Sequence, residues 1–290
     1  MFITVIIPVY KNISLLKSSL KSLQQQTYKK FEVIVVNDGS NEIKKIKRII
    51  KIYKDSLNVR LINKKLNRGV SCALNIGIKN SKGKYISWLS SDDYFHSKKL
   101  EYQIKSIKNK NICITGFYCV DNKDRIFKSV KYNNLLFSLK DHILIRDNIN
   151  FCTILLKKKI LLQVGLFDES LKHVQDYDML FKLFQKNKPV ILNKCLFYSK
   201  HHGGQSSVKY QKKAMLEKEE FYKSKSDLIK TLYYKSSIKK KVIIIFFTRL
   251  RNIKTLNFLM NKLIRKEKIL IKFIFKMVYF FSEKYLYFKK

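Results

Sequence analysis

The chain has 290 residues, with 61 Lys and Arg against 21 Asp and Glu for a net charge of +40, 46% hydrophobic residues, and only 8 Gly, 2 Pro and 5 Cys. At roughly 150 residues per domain this length allows one large domain or a medium domain with an appendage. The apolar content excludes a disordered chain, and the scarcity of Gly, Pro and Cys excludes a fibrous protein or a disulfide scaffold. Cys72, Cys113, Cys119, Cys152 and Cys195 are odd in number and lie far apart. With no C-x-x-C spacing for zinc or redox chemistry, they predict a reduced, cytoplasmic setting. The opening run after Met1 has no basic stretch before it and is too short for a signal core, which predicts no secretory signal. No run reaches the ~20 apolar residues of a spanning helix.

Elements follow in chain order. Ile3 to Ile7 is a β-branched run predicted to form a buried strand that Pro8 ends. Asn12 is placed to cap a helix whose Leu16, Leu20 and Leu23 share one face. Phe31 to Val36 predicts a second strand, closed by the turn residues Asn37-Asp38-Gly39-Ser40. Ile46, Ile49, Ile50 and Tyr53 have helical spacing. Val59 to Ile62 reads as a third strand, Ser71 to Lys79 as a helix, and Tyr85 to Leu89 as a fourth strand broken by Ser90-Ser91-Asp92-Asp93. Beyond it, Leu100, Ile104 and Ile107 predict a helix capped by Ser97. Ile112 to Thr115 and Phe151 to Leu156 predict strands separated by a polar insertion. Ile160 to Val164 reads as a helix stopped at Gly165. Tyr177 to Phe184 reads as another, burying Leu180, Phe181 and Phe184. From about Gln211 the chain turns to Lys-rich helices without Gly or Pro.

Alternating strands and helices, with strands apolar on both faces, predict an α/β domain built on a doubly wound, mostly parallel sheet with flanking helices. The compositional shift predicts a domain over 1–207 and a basic helical extension over 208–290. In such sheets ligands bind beyond the carboxyl ends of the strands. Pro8-Val9-Tyr10, Asn37-Asp38-Gly39-Ser40 and Ser91-Asp92-Asp93 all lie at such ends, so together they make a candidate site. Adjacent carboxylates at Asp92 and Asp93 suit a hard cation, Mg2+ or Mn2+, which is held by one or two carboxylates plus substrate phosphates. Taken alone, the pair also reads as turn chemistry.

Four ordered segments then carry a resemblance: Ile6-Ile7-Pro8-Val9-Tyr10-Lys11-Asn12, Glu32 to Ser40, Asn67-Arg68-Gly69-Val70-Ser71-Cys72-Ala73-Leu74-Asn75, and Gly83 to Asp93. They resemble the successive motifs of family 2 glycosyltransferases with the GT-A fold. Val164 to Ser170 followed by Gln175-Asp176-Tyr177-Asp178 resembles that family's stretch ending in Glu-Asp, and His202-Gly203-Gly204-Gln205 is similar to its His-x-x-Gln segment. The resemblance covers about residues 2 to 207. It implies an inverting, metal-dependent transfer of a sugar from a nucleotide-diphosphate donor, a UDP-sugar as first choice, to a hydroxyl of a glycan or lipid-linked saccharide. Pro8, Val9, Tyr10, Asp38, Arg68, Ser91, Asp92 and Asp93 would bind the donor, with Asp92 and Asp93 holding Mg2+ or Mn2+. Asp176 would be the base, and Gln175 and His202 would contact acceptor or diphosphate. Two departures stand out. Ser90 occupies the first position of the common D-x-D, and Gln175 replaces the Glu before the base. They keep open a second reading, a catalytically inactive nucleotide-sugar or glycan-binding relative.

Other residues read as structural. Asp178 is expected to pair with a helix Lys, Trp88 to sit in the core, Cys72 to pack, Asp168 to order its loop, and His201 to lie at the surface. The net charge has two readings, a polyanionic partner or drift toward Lys codons. No DNA or RNA recognition motif is present, so nucleic acid is expected only through non-specific charge. From Ser207 to Lys290 there are 23 Lys and Arg against 6 Asp and Glu. With the apolar runs Val242 to Phe247 and Ile269 to Phe281, this tail predicts peripheral attachment to an anionic membrane surface on its inner face. A helical cap packing on the domain or on a second copy is the alternative.

Overall fold

A computed structural model describes residues 1–132, 141, 143, 149–205, 210–237, 240 and 244. The apolar tail runs from Val242 and from Ile269 lie outside the described residues, except for Ile244. The chain divides into two compact units, residues 1–143 with 148–214 and residues 144–147 with 215–290.

In the first unit β1 (Ile3–Val9) enters a 3-10 turn at Ile13–Leu15 and then α1 (Leu16–Gln24). The strand does not stop at Pro8, which pairs with Val36 of β2 (Phe31–Asp38). The reason lies in the ladder. Even-numbered residues of β1 turn their backbone toward β4 (Tyr85–Trp88), where Leu89 donates to the Ile6 carbonyl and pairing ends at Ile6 opposite Trp88. The missing N–H of Pro8 therefore removes no ladder bond. Asn12 does not cap α1. It adopts the left-handed conformation at φ 54°, and its amide donates to the Gly204 carbonyl at 3.5 Å. Leu16, Leu20 and Leu23 are wholly buried as their spacing predicts, each contributing about 1.5–3 kcal/mol.

α2 (Ile43–Tyr53) buries Ile46, Ile49, Ile50 and Tyr53. β3 (Val59–Lys64) follows, then α3 (Val70–Asn80). α3 lies so close to β1 that a Cβ on Gly77 would meet Ile6 Cγ2 at 2.5 Å. Past β4 come the two-residue β5 (Tyr94–Phe95) and α4 (Lys99–Ile107). Ser97 is not its cap: its carbonyl accepts instead from the Thr27 N–H at 2.9 Å.

β6 (Ile112–Val120) is followed by β7 (Ile126–Val130), a strand within the stretch read as a polar insertion. Phe151–Thr153 is a 3-10 turn rather than strand, because the Asn150 side chain accepts from the Cys152 N–H; β8 (Ile154–Lys157) begins after it. α5 (Lys158–Gln163) ends before Gly165 at φ 95°, as predicted. α6 (Gln175–Lys186) precedes β9 (Val190–Lys200), a strand that the sequence pattern did not reveal.

The strands form one mixed sheet in the order β3-β2-β1-β4-β8-β6-β9-β5, with β7 on β6. From β3 to β4 all pairs are parallel. Beyond β4, β8 is antiparallel to its neighbours, and β6 and β9 run parallel across a register shift between Thr115 and Gly116. This is the α/β sheet with flanking helices that the sequence predicts, its first half parallel throughout.

α7 (Gln211–Ser224) starts in the first unit and runs into the second, which also holds α8 (Ser226–Tyr234) with Ile229 and Tyr233 buried one turn apart. Among the described residues no helix is long and apolar enough to cross a membrane.

Candidate active site

The carboxyl ends of β1, β2 and β4 lie side by side, and each carries the residues that the sequence marks. At the end of β2, Asn37 Oδ1 accepts from the Ser40 N–H at 3.0 Å, and the Asn37 side-chain amide donates to Ser40 O at 3.1 Å and to Asn63 Oδ1 at 2.7 Å. That tight turn needs Gly39 at φ 76°, where a Cβ would lie 2.4 Å from the Asn67 nitrogen. The loop before α3 is thus pressed against the end of β2, and the buried Asp38 latches it. Asp38 accepts from the Arg68 N–H at 3.2 Å, from the Gly69 N–H at 3.0 Å and from the Lys64 ammonium. These donors take three of a carboxylate's about four acceptor positions.

Arg68 projects from this loop and pairs with Glu169 at 3.3 Å. Asn75 on α3 holds the segment that bears Glu169. Its amide donates to Phe167 O at 2.8 Å and to Glu169 Oε1 at 3.1 Å, and its oxygen accepts the Phe167 N–H at 3.0 Å. The Asn75 amide first, then, against the cost of burial, the Cys72 thiol and the Arg68 charge, lower the Glu169 carboxyl from its ordinary value. Asp168 orders the same turn as expected, accepting from the Ser170 N–H at 2.9 Å and the Ser170 hydroxyl at 2.6 Å. This segment delivers the chain to α6, whose first turn carries Gln175 and Asp176. Asp176 is partly exposed and its Oδ1 accepts the Tyr177 N–H at 3.0 Å. Gln175 is only 7% exposed, and its side-chain oxygen has no hydrogen-bond partner. Asp178 pairs with Lys182 at 2.6 Å, the structural role expected of it.

After β4 the Ser19 hydroxyl of α1 lies 2.9 Å from Ser91 O and 2.8 Å from Asp93 O, which fixes the Ser90 to Asp93 turn. The two carboxylates part company here. Asp93 is 4% exposed and accepts the Lys200 N–H at 2.8 Å. Burial, and after it the neighbouring Asp92 charge, push its carboxyl well above the usual carboxylate range. Asp92 faces His202, with 3.0 Å between Oδ2 and Nε2. The Gly204 N–H donates to His202 Nδ1 at 3.2 Å, so the neutral ring carries its proton on Nε2 and donates to Asp92. Among the described residues no three His, Cys, Asp or Glu side chains cluster as a ready metal cage. Asp92, oriented by His202, still fits a cation that takes one carboxylate plus substrate phosphates, whereas buried Asp93 suits a structural part.

The remaining candidates fall as follows. Tyr10 is 41% exposed beside Lys11, whose ammonium lies 5.3 Å from the ring centroid. Pro8 is partly exposed and the Val9 side chain is buried. Trp88 joins Phe151 and Phe167 in a core cluster at centroid distances of 5.6 and 6.1 Å, linking the end of β4 to the segment before α6. Cys72 is buried, and beyond the packing expected of it its thiol hydrogen-bonds Glu169; His201 is exposed, edge-on to Phe127 at 5.2 Å. Lys64, Asn75, Glu169 and Asn12 have roles that sequence reasoning did not assign. Asn12, Asn75 and Glu169 do lie inside the quoted motifs, and that was their signal.

Comparison with known proteins settles the family. The model of glycosyl transferase family 2 matches residues 4–161, more than half of the chain. The chain belongs to glycosyl transferase family 2. Among its relatives, an uncharacterized glycosyltransferase of Rickettsia bellii is 38% identical over 71% of this chain and 31% of its own length. The chain thus spans about a third of that relative. A UDP-Glc:alpha-D-GlcNAc-diphosphoundecaprenol beta-1,3-glucosyltransferase of Escherichia coli, WfgD, is 26% identical over 72% of this chain and 80% of its own. Staphylococcus aureus TarS 1-349 in complex with UDP-GlcNAc superposes at a TM-score of 0.58, with 18% identity, over 84% of this chain and 79% of that one. The mannosyltransferase PcManGT from Pyrobaculum calidifontis, solved with GDP-Man and Mn2+, does so at 0.57 with 17% identity, over 77% and 63%. These last two likenesses establish the shared GT-A fold.

Proposed function

We propose that this family 2 member is an inverting, metal-dependent glycosyltransferase. It moves a sugar from a nucleotide-diphosphate donor, a UDP-sugar first, to a hydroxyl of a glycan or lipid-linked saccharide. The observation that carries the reading is the Asp92–His202 pair, a partly exposed carboxylate and an imidazole 3.0 Å apart at the carboxyl end of the sheet. In this reading Pro8, Val9 and Tyr10 border the nucleotide base, Asp38 accepts from base or ribose, and Arg68 and Ser91 lie toward the phosphates. Asp92 would hold Mg2+ or Mn2+ with His202 orienting its carboxylate, while Asp93 fixes the loop that presents Asp92. When bound, the cation supplies charge neutralisation of the departing diphosphate.

The acceptor oxygen attacks the anomeric carbon from the face opposite the diphosphate. The bond from that carbon to the phosphate oxygen breaks, its electron pair leaves with the diphosphate, and the acceptor proton passes to Asp176. Gln175, only 7% exposed, would reach acceptor or diphosphate through its side-chain oxygen, which has no protein partner. Support for a UDP donor and a lipid-linked acceptor comes from TarS solved with UDP-GlcNAc and from the name of WfgD, and support for Mn2+ from the PcManGT complex.

The test is a panel of nucleotide sugars assayed for hydrolysis and transfer with and without chelator. Turnover that vanishes on chelation and returns with Mn2+ supports the reading. Tight donor binding without turnover would assign the chain to the inactive relatives instead.

The same proposal takes 1–207 as the catalytic domain and 208–290 as a basic extension that attaches peripherally to the inner face of an anionic membrane. The charge of that extension carries the second part. Liposome sedimentation with graded anionic lipid and salt tests it, the intact chain pelleting in proportion to lipid charge.

A further inference from the structure

Outside the site, the β6–β7 hairpin projects from the edge of the sheet. Among the described residues β7 pairs only with β6, so its outer edge is free. Residues 122–129 are all exposed, and they include Ile126 at 54% and Phe127 at 51%. The finger is nevertheless rigid. Asp121 Oδ1 accepts the Lys123 and Arg125 N–H groups at 2.9 and 3.0 Å, and the Asp121 carbonyl accepts the Asp124 N–H at 3.0 Å. Where the ladder reaches the turn, Cys119 opposes Lys128 and Val120 opposes Ile126, which leaves Phe127 as the extra residue of a bulge. Such a bulge re-aims the side chain it carries. Phe127 is set edge-on to His201.

The base of the finger is tied to the candidate site. The His201 N–H donates to Val120 O at 2.8 Å, and the next residue, His202, orients Asp92. Asp124 accepts from the Lys200 ammonium at 2.9 Å and from the Tyr94 hydroxyl at 3.2 Å, and the same Lys200 gives its N–H to Asp93. Charge on the finger is one-sided. Arg125 neutralises Asp121 and Lys200 neutralises Asp124, so the other charges on it and just beyond it, Lys123, Lys128 and Lys131, are all positive.

These features select the occupant. The bulge and Lys128 blunt the free edge against a strand from a second copy. The exposed tip is also far smaller than the roughly 20–30 residues a side of a stable protein interface. An anionic bilayer fits, because it closes around a projecting tip, takes apolar side chains into its acyl boundary and leaves the cations among its headgroups. We propose that the β6–β7 hairpin inserts Ile126 and Phe127 into an anionic lipid surface, which gives the first unit an attachment of its own beside the candidate site. Its use rests on the proposed lipid-linked acceptor: insertion holds the His202 side of the site at the surface where such an acceptor lies. The insertion itself stands without that reading.

The experiment uses the full chain carrying Phe127→Trp, with phosphatidylcholine vesicles that contain or lack phosphatidylglycerol. The one native tryptophan, Trp88, lies in the core, so wild type supplies the baseline emission. With anionic vesicles the added emission should shift to shorter wavelength and be quenched by lipids brominated on their acyl chains, and neutral vesicles or high salt should weaken both effects. The Ile126→Ser/Phe127→Ser double variant changes only exposed side chains. It should lose at least about tenfold in affinity for anionic vesicles while its urea midpoint stays at the wild-type value. An added indole that stays unshifted and unquenched overturns the proposal, whether or not the protein sediments with the vesicles through its basic extension. A shift that arises without lipid and grows with protein concentration overturns it in favour of a second copy, and an unchanged vesicle affinity in the double variant overturns it as well. Donor hydrolysis is read separately without lipid, so insertion and the proposed reaction can fail independently.

Discussion

Asp92 and His202 meet at 3.0 Å although 110 residues separate them in the chain. The contact closes the loop after β4 against the turn after β9, and Asn12 reaches the same turn through Gly204. Because the imidazole orients the carboxylate, His202→Ala should raise the Mn2+ concentration for half-maximal donor hydrolysis by roughly 10–100-fold, the usual scale for groups that tune a metal ligand. Asp92→Asn should abolish the metal response. Manganese titrations of both variants check this.

Asp176→Asn should leave donor affinity near wild type while transfer falls by about 10²-fold or more, the loss expected on removing a general base. Calorimetry with UDP and Mn2+ measures the first and a transfer assay the second. An equal loss in both would make Asp176 a donor ligand.

Asn75→Ala removes both partners of the Phe167 peptide groups and one partner of Glu169. Stranded buried polar groups cost about 1–3 kcal/mol each, so urea unfolding should show a loss of about 2–4 kcal/mol. Since this clamp delivers the segment before α6, turnover should fall more than donor affinity.

Lys99 gives a pH prediction. Its ammonium is wholly buried, 2.8 Å from Gln103 Oε1, 3.3 Å from Ser87 Oγ and 3.9 Å from the Phe95 ring centroid. Burial lowers its pKa from 10.5 to about 7, partly opposed by Cys152 and Cys113. Between those values the unfolded chain binds the proton and the native chain does not, so Lys99 makes stability rise with pH through that window. Below it both states are protonated and the burial penalty is fully felt. Urea midpoints near pH 7 and about pH 9.5 should differ for wild type, with the higher value at the higher pH, and the gap should shrink in Lys99→Met.

Much of the fold was legible because the first half of the sheet is built from unbroken apolar strands. Phe31 to Val36 and Ile3 to Ile7 are buried on both faces and cannot be read otherwise. β9 escaped because Asn193 and Lys194 interrupt its apolar run where the register shifts, leaving no clean period of two. Asn12 and Ser97 have the chemistry of caps but are bound by tertiary partners, Gly204 and Thr27, that local sequence does not name. In the site, carboxylates at strand ends pointed to Asp38, Asp92 and Asp93, and the family resemblance pointed to Asp176. That Asp93 would be buried while Asp92 stays reachable depends on Lys200, far along the chain, and no spacing rule carries that information.

The long-range closure of the site also sets an order of assembly. β1 to β4 lie within the first 88 residues and pair only with one another until β8 is made. A nascent chain can therefore build its parallel half early, as the local contacts of a growing domain allow. The carboxylates after β4 then wait, uncovered and without Lys200 or His202, until more than a hundred further residues have left the ribosome. On the proposed function, donor and cation recognition would thus be withheld from the half-made protein until β9 slots in beside β6.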